Sequence, residues 1–191
     1  GAGTLQKDPH VEVVAIKTDI QSAIQPFKEF ATLNLSAVMM SHSSYPEIDK
    51  SGLPATFSKK IISDLLINDF DYHGLVVTDD LQMGAVKNAE STVGSLAIKA
   101  FKAGADLIMI TWGPKEQRLV HQTLVKAVRS GRISMSELDQ RVSKIARIKN
   151  QIETKNRNIA SQPENTKISD LSALDDKVLD INLHRESTKF D

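Results

Sequence analysis

The hydrophobic positions of this chain follow two alternating spacings. Short, predominantly apolar runs, typical of buried strands, lie at 37–42, 75–78 and 105–111. Around them, apolar residues recur every three to four positions, the spacing of a helix with one buried face. Alternating strands and helices predict an α/β fold on a parallel sheet. The helices predicted in this way cover 19–31, 58–70, 91–103 and 114–130, and a last helix, capped by Ser134 or Ser136, ends near Gln151.

Several residues mark where the predicted helices begin and end. Thr18 precedes the first helix and can cap it, since its side-chain oxygen can accept a free N–H of the first turn. Pro26 should kink or break that helix because proline removes a backbone hydrogen bond. Gly104 stops the third helix, whereas Pro114 opens the fourth and Gly131 lies at its far end.

The predicted sheet is too small to close on itself. Three strands, each followed by a helix, would leave unpaired edges and uncovered apolar faces. Either further chain completes the sheet or these units form an open α/β domain. The chain starts with Gly-Ala-Gly-Thr and not with Met, which indicates a cut end and favours the first alternative. From 153 to 191 the pattern weakens, and the polar stretch 156–172 is typical of a linker or extended tail.

The composition excludes several classes of protein. The 191 residues are 40% hydrophobic and 25% charged, as in ordinary globular domains. The 24 basic residues balance 24 acidic ones, so no nucleic-acid partner is expected, because such a partner requires a basic surface. No apolar run approaches the roughly 18 residues of a membrane span. Cysteine is absent and the five histidines show no metal-binding spacing, so neither disulfides nor a metal site are expected.

Two adjacent acids follow the second strand. Asp79 comes directly after the apolar run that ends at Thr78, and Asp80 comes next. Because the carboxyl ends of parallel strands form the ligand-binding edge of a sheet, the Asp79 carboxylate is expected to point into a site. Successive side chains alternate in direction, so Asp80 is expected to cap or hydrogen-bond nearby. The alternative, more common for an arbitrary Asp-Asp pair, is that both acids cap the following helix.

Two histidines are further candidates. Asp8 lies two positions before His10 and can orient its imidazole, as in a catalytic triad without the nucleophile. The alternative is a surface loop in which both residues are incidental. His42 follows the first strand and faces the same edge, but a single histidine at a strand end is more often a hydrogen-bonded packing residue.

The order of these features resembles one family. A D-x-H loop at Asp8–His10 is followed by a strand ending in H-x-x-Y-P at His42–Pro46. The chain continues with L-P-A-T at Leu53–Thr56 and D-x-H-G-L-V-V-T-D-D-L-Q-M at Asp71–Met83. Together these motifs resemble glycoside hydrolase family 3, and specifically its bacterial exo-β-N-acetylglucosaminidases. The family's loop reads K-H-F-P-G-H-G and then D-S-H, whereas this chain starts at or just after the last Gly of that motif and has Pro9 in place of Ser.

The resemblance covers about residues 1–150 and implies a fold. The catalytic domain of that family is a (β/α)8 barrel of the TIM type. Residues 1–152 would then be the C-terminal part of such a barrel, with about three β/α units, and residues 153–191 a polar linker or tail. The family's sugar-binding residues lie upstream of this segment. The resemblance therefore implies that the chain acts with the missing N-terminal part of the enzyme, or with another copy of itself.

The resemblance also implies a role for each candidate side chain. Asp79 matches the family's nucleophile, His10 its general acid/base, and Asp8 the partner that holds the imidazole. The β-glucosidases of the family take their acid from a Glu on a second domain and lack the D-x-H loop. His42, on the same edge, is a candidate substrate-binding residue.

The implied reaction is hydrolysis with retention at the sugar's anomeric carbon. Terminal, non-reducing, β-linked N-acetylglucosamine would be released from muropeptides or chitooligosaccharides through a covalent glycosyl–Asp79 intermediate, as in peptidoglycan recycling. Neither a metal nor an organic cofactor is required. Three alternatives remain open: a phosphorylase of the same family, a β-glucosidase, and a non-catalytic α/β binding domain.

Overall fold

The computed structural model describes residue 8 and the ranges 11–16, 19–33, 35–86 and 92–160. These ranges contain two strands and four α-helices, with one π-helix between the strands and three of the α-helices after the second strand. In chain order the elements are α1 (Ile20–Thr32), β1 (Ala37–Met40), a 3₁₀ turn (Ala55–Phe57), the π-helix (Lys60–Asp69), β2 (Leu75–Thr78), α2 (Val93–Ala103), α3 (Pro114–Arg129) and α4 (Met135–Ala160).

Two compact units make up the chain, residues 1–149 and 150–191. The described part of the second unit is the end of α4, where Arg157 lies 3.7 Å from Glu153, one turn earlier. Helix α4 thus continues well past its predicted end near Gln151. The predicted division at residue 152 stays a prediction. None of the helices in the described ranges has the length and apolarity to cross a membrane.

The sheet has two strands and one bridged segment. Strands β1 and β2 are parallel and pair in register from Ala37 with Leu75 to Met40 with Thr78. The predicted strand at 105–111 runs beside β2, but it is reduced to a parallel bridge between Val77 and Leu107. The α/β class is therefore confirmed, whereas the prediction of a regular third strand is wrong.

Side chains replace backbone groups where that third strand should pair. The Asp106 carboxylate accepts the Val76 N–H at 2.8 Å. The Thr78 hydroxyl accepts the Met109 N–H at 2.9 Å. Between these substitutions, the Thr78 N–H reaches the Leu107 carbonyl at 2.8 Å. The segment is thus bonded to β2 at Val76 and Thr78, but a regular ladder, which requires backbone partners on both strands, does not form.

Helix α1 differs from the prediction in two details. Its cap is Asp19, whose carboxylate accepts the Gln21 N–H at 3.1 Å and the Ser22 hydroxyl at 2.5 Å. Thr18, the predicted cap, lies outside the described residues. Pro26 does not break the helix, which is continuous from Ile20 to Thr32. Proline removes the donor to the Ser22 carbonyl, but both residues are exposed, so water can replace that donor.

Helices cover one face of the sheet. Alternation along each strand places Val38 and Met40 of β1 on the same face as Val76 and Thr78 of β2. This face packs against α1 and the π-helix. The buried cluster that results consists of Ile16, Ala31, Met40, Tyr45, Ala55, Ile61, Ile62, Leu66, Tyr72, Val76 and Ala103.

Helices α2 and α3 pack closely together beside the sheet. A side chain at Gly94 of α2 would place its Cβ 2.5 Å from the Thr123 hydroxyl of α3, so the close approach requires glycine. The two buried clusters around these helices are Leu81, Val86, Leu96, Ala97 and Val120, and Ile98, Phe101, Ala127 and Ile133.

The opposite face of the sheet is apolar and uncovered among the described residues. Met39 lies opposite Val77 in the ladder, and Val77 is bridged to Leu107, so the three side chains share this face. Met39 is 54% exposed and Leu107 36% exposed. A row of apolar side chains across three neighbouring segments is typical of a surface that other elements cover.

A buried carboxylate near the amino end of β2 holds α4. The Asp106 side chain is fully buried and lies 3.2 Å from the Arg141 guanidinium and 2.7 Å from the Lys144 ammonium. Together with its bond to the Val76 N–H, this compensates its charge. Breaking such a buried pair typically costs about 3–5 kcal/mol, so the cluster fixes α4 against the sheet. Burial, and secondarily the Asp106 charge, raises the pKa of Tyr72 to about 12.

Candidate active site

Asp79 lies at the carboxyl end of β2. Its N–H donates to the Met40 carbonyl at 3.1 Å, so the pairing with β1 extends one step past the last strand residue. Its side chain is partly exposed. One carboxylate oxygen, Oδ1, accepts the N–H of Asp80 at 2.9 Å. The backbone of Asp79 is thus fixed by the sheet, and its carboxylate remains accessible to solvent.

Asp80 has a different environment. It is only 8% exposed. Its Oδ1 accepts the Gln82 N–H at 3.0 Å, and its Oδ2 accepts the Thr111 hydroxyl. Both oxygens are therefore used to close the turn after β2 and to attach that turn to the third segment. Of the two acids, Asp79 is the one whose carboxylate a ligand can approach.

His42 lies beneath this turn. It is 1% exposed, with Nε2 located 2.9 Å from the Asp80 carbonyl and Nδ1 located 2.9 Å from the Thr56 hydroxyl. A carbonyl oxygen can only accept, so Nε2 carries a hydrogen and donates it to Asp80. The Phe57 ring stacks on the imidazole at a centroid distance of 6.4 Å. With both nitrogens bonded inside the fold, this geometry favours the packing alternative for His42 over direct contact with substrate.

The D-x-H loop is described only in part. Asp8 is exposed, and its carbonyl accepts the Val11 N–H at 3.2 Å. His10 lies outside the described residues. The chain after it pairs with the loop that follows β1, since the Ile16 N–H reaches the Ser44 carbonyl at 2.8 Å and the Ser44 N–H reaches the Val14 carbonyl at 3.0 Å. These bonds join the segment after His10 to the carboxyl edge that carries Asp79.

Sequence reasoning missed several residues that build this edge. Thr56 belongs to the L-P-A-T motif, but its contact with His42 joins two loops and has no local sequence signal. Thr111 ends the third apolar run and Trp112 follows it, just as Thr78 ends the second run and Asp79 follows it. Applying the strand-end rule there would have found them. The bond from Thr111 to Asp80 is again a contact between loops.

The described residues lack a metal-binding cluster and contain a small apolar cavity. No group of three His, Asp or Glu side chains there could hold a metal ion. An apolar cavity of about 120 Å³ lies between α1 and the π-helix, lined among others by Ile24, Phe27, Leu65 and Phe70. A small apolar space behind the sheet suits imperfect packing of two helices and not binding of a sugar.

Fold and site together define a class: part of an α/β barrel-like domain with an accessible acid at the carboxyl end of a strand. The family model described as "Glycosyl hydrolase family 3 N terminal domain" matches residues 1–148. The chain belongs to this family, and the prediction of that family is confirmed.

Similar proteins agree with this assignment. A protein of Nitrosomonas eutropha named beta-hexosaminidase is 36% identical over 118 residues, which is 60% of this chain and 33% of that protein. One of Hydrogenovibrio crunogenus with the same name is 30% identical over 158 residues, 72% of this chain and 42% of that protein. The chain thus spans about a third to two-fifths of the length of these curated relatives.

A solved structure extends the comparison to the fold. The glycoside hydrolase family 3 β-N-acetylglucosaminidase of a Paenibacillus species superimposes with a TM-score of 0.71 at 30% identity. The match covers 84% of this chain and 30% of that one. The described α/β units are therefore part of a TIM-barrel-like fold, of which this chain supplies a portion.

The contacts of His42 predict how substitutions there affect stability. His42→Leu in the intact protein should lower the free energy of unfolding by about 1–3 kcal/mol, because the buried Asp80 carbonyl loses its donor. His42→Gln should lower it less, since its amide nitrogen can occupy the position of Nε2. Urea denaturation of both variants measures the difference. Equal losses for Leu and Gln would show that the bond to Asp80 contributes nothing.

Proposed function

We propose that the intact protein is a retaining glycoside hydrolase that releases terminal, non-reducing, β-linked N-acetylglucosamine from muropeptides or chitooligosaccharides. Family membership over residues 1–148 supports hydrolysis of glycosides. The names of the relatives support the N-acetylated sugar. One observation carries the proposal: within this family's domain, an accessible carboxylate, Asp79, stands at the carboxyl end of β2.

The first half of the reaction forms a covalent intermediate. Asp79 attacks the anomeric carbon from one side while His10 donates a proton to the departing glycosidic oxygen. The bond from carbon to that oxygen breaks, and an ester between the sugar and Asp79 forms. Since Oδ1 of Asp79 already accepts the Asp80 N–H, Oδ2 is the oxygen left to attack. Asp8 holds the His10 imidazolium in the orientation that this transfer requires.

The second half hydrolyses the ester. His10, now neutral, takes a proton from water, which attacks the anomeric carbon and releases the Asp79 carboxylate. The configuration at that carbon is therefore retained after two inversions. An imidazole in water has a pKa of about 6.5, so it can both donate and accept a proton near neutral pH. The chemistry uses side chains alone.

We also propose that further β/α units cover the face formed by Met39, Val77 and Leu107. In a closed barrel, side chains on that face fill the interior. The chain spans 30% of the solved Paenibacillus relative, which supports a longer intact protein with room for such units. A second copy of this chain is the alternative occupant of the same face.

Replacing Asp79 tests the nucleophile. In the intact protein Asp79→Ala should reduce kcat for chitobiose and for a muropeptide fragment by about 10⁴-fold or more, as removal of a catalytic nucleophile does elsewhere. Added azide should restore part of the rate by occupying the vacated space and attacking the sugar, giving a glycosyl azide of inverted configuration. Circular dichroism checks the fold. Near-normal kcat in Asp79→Ala, with Asp80→Ala inactive but folded, would place the nucleophile at Asp80.

Leaving groups of different acidity test His10. His10→Ala should slow release of a poor leaving group about 10²–10⁴-fold more than release of an acidic phenol, which departs with little protonation. Asp8→Ala should show the same pattern more weakly, since it removes orientation and not the proton. The measurement is kcat/KM on matched N-acetylglucosaminides. Equal losses on both substrates would mean that His10 positions substrate or supports the loop.

A charge placed on the uncovered sheet face tests what covers that face in the intact protein. Met39→Glu in the intact protein should lower the Tm sharply, because a covered carboxylate loses its hydration without gaining a partner. Lys99→Glu, on the exposed surface of α2, is the control and should change the Tm little. If a second copy covers the face, the effect of Met39→Glu disappears on dilution. An intact protein that tolerates Met39→Glu at all concentrations would have an open face.

A further inference from the structure

Trp112 is the single tryptophan of this chain, and it is 70% exposed. It follows the third apolar segment directly and therefore lies at the same carboxyl edge as Asp79. Among the described residues the large hydrophobic side chains that are exposed occur at many places, and exposure alone indicates nothing. The surroundings of Trp112 distinguish it from the others.

Hydrogen bonds hold the backbone of the turn that carries Trp112. Its own N–H donates to the Gln82 side-chain carbonyl at 2.8 Å. The preceding residue, Thr111, donates its hydroxyl to Asp80. On the other side, the Gln117 amide donates to the Ile110 carbonyl at 3.2 Å. A flat indole on a fixed turn loses little conformational entropy when a ligand binds to it.

The same bonds place this turn beside the candidate nucleophile. Gln82 and Asp80 both belong to the turn that begins at Asp79, and the Leu81 N–H of that turn reaches the Met109 carbonyl at 3.3 Å. Trp112 and Asp79 thus stand on two neighbouring loops of one edge, joined by three hydrogen bonds. A substrate bound at Asp79 therefore lies next to the loop that carries Trp112.

We propose that Trp112 is a stacking platform for the sugar on the leaving-group side of the substrate, an inference that rests on the proposed function. Release of a terminal sugar requires that sugar to sit at Asp79, so the leaving sugar extends outward from it. Trp112 lies on the exposed rim in the adjacent loop. A β-linked pyranose with equatorial substituents presents a flat face of C–H groups, which suits the face of an indole ring.

Substrates with and without a leaving sugar test the platform in the intact protein. Trp112→Ala should lower kcat/KM for chitobiose about tenfold more than for the methyl β-glycoside of N-acetylglucosamine, which has no second ring. Trp112→Phe keeps a smaller ring and should give an intermediate ratio. Each variant is also melted, because an exposed side chain should contribute little to the Tm.

Two outcomes overturn the inference. Equal losses on both substrates, or a large fall in Tm, would show that Trp112 supports the loop or packs against another part of the protein. A binding measurement separates this failure from failure of the proposed function. In Asp79→Asn, the indole fluorescence or N–H resonance that is absent from Trp112→Phe should shift on addition of chitobiose. That shift in Asp79→Asn, together with a wild-type protein that does not hydrolyse chitobiose, would support the platform and reject the hydrolase. Hydrolysis by the wild-type protein without the shift in Asp79→Asn would do the reverse.

Discussion

The bond between the His42 imidazole and the Asp80 carbonyl is the contact on which the carboxyl edge depends. It joins the end of β1 to the turn after β2, and through Thr56 it includes the loop between them. All of these groups are buried, so each must find a partner inside the fold or raise the free energy of the folded state. The position of Asp79 is a consequence of this network, since its peptide is fixed on both sides.

The two ends of the sheet use buried charge for different purposes. At the amino end of β2, the Asp106 carboxylate contacts two cations and a backbone N–H, so both of its oxygens are already paired within the fold. At the carboxyl end, Asp80 is satisfied in the same manner by Thr111 and Gln82, but its neighbour Asp79 is left accessible. This asymmetry is typical of barrel domains, in which one end stabilises the fold and the other carries chemistry.

Local patterns in the sequence predicted the secondary-structure elements well. They could not predict contacts between residues that are distant in sequence. Strand β2 has the predicted bounds, and β1 lies within its predicted run, because near-continuous apolar runs are typical of strands in parallel sheets. The third strand failed because Asp106 and Thr78 insert side-chain oxygens into the ladder, and hydrophobicity does not encode this.

The same distinction between local patterns and distant contacts applies to the candidate site. Asp79 could be predicted because its position after an apolar strand fixes the edge to which it belongs. The separate environments of Asp79 and Asp80 could not, since they depend on Thr111, some thirty positions away in sequence. His42 was placed at the correct edge, but its burial depends on Thr56 and Phe57, which fold over it from another loop.

Adjacent carboxylates repel each other, and the arrangement of donors around them explains why this pair can coexist at the edge. Asp80 receives one hydroxyl and one backbone N–H, while Asp79 receives the N–H of Asp80 on Oδ1. Hydrogen bonds to an ionised oxygen are stronger than hydrogen bonds between neutral groups. The partners of each carboxylate therefore compensate its charge. A carboxylate that is oriented on one oxygen and open on the other is suited to attack a carbon that approaches from solvent. The same turn attaches Trp112 through Gln82, so one short segment, Asp79–Gln82, links the proposed nucleophile to the rim of the proposed site.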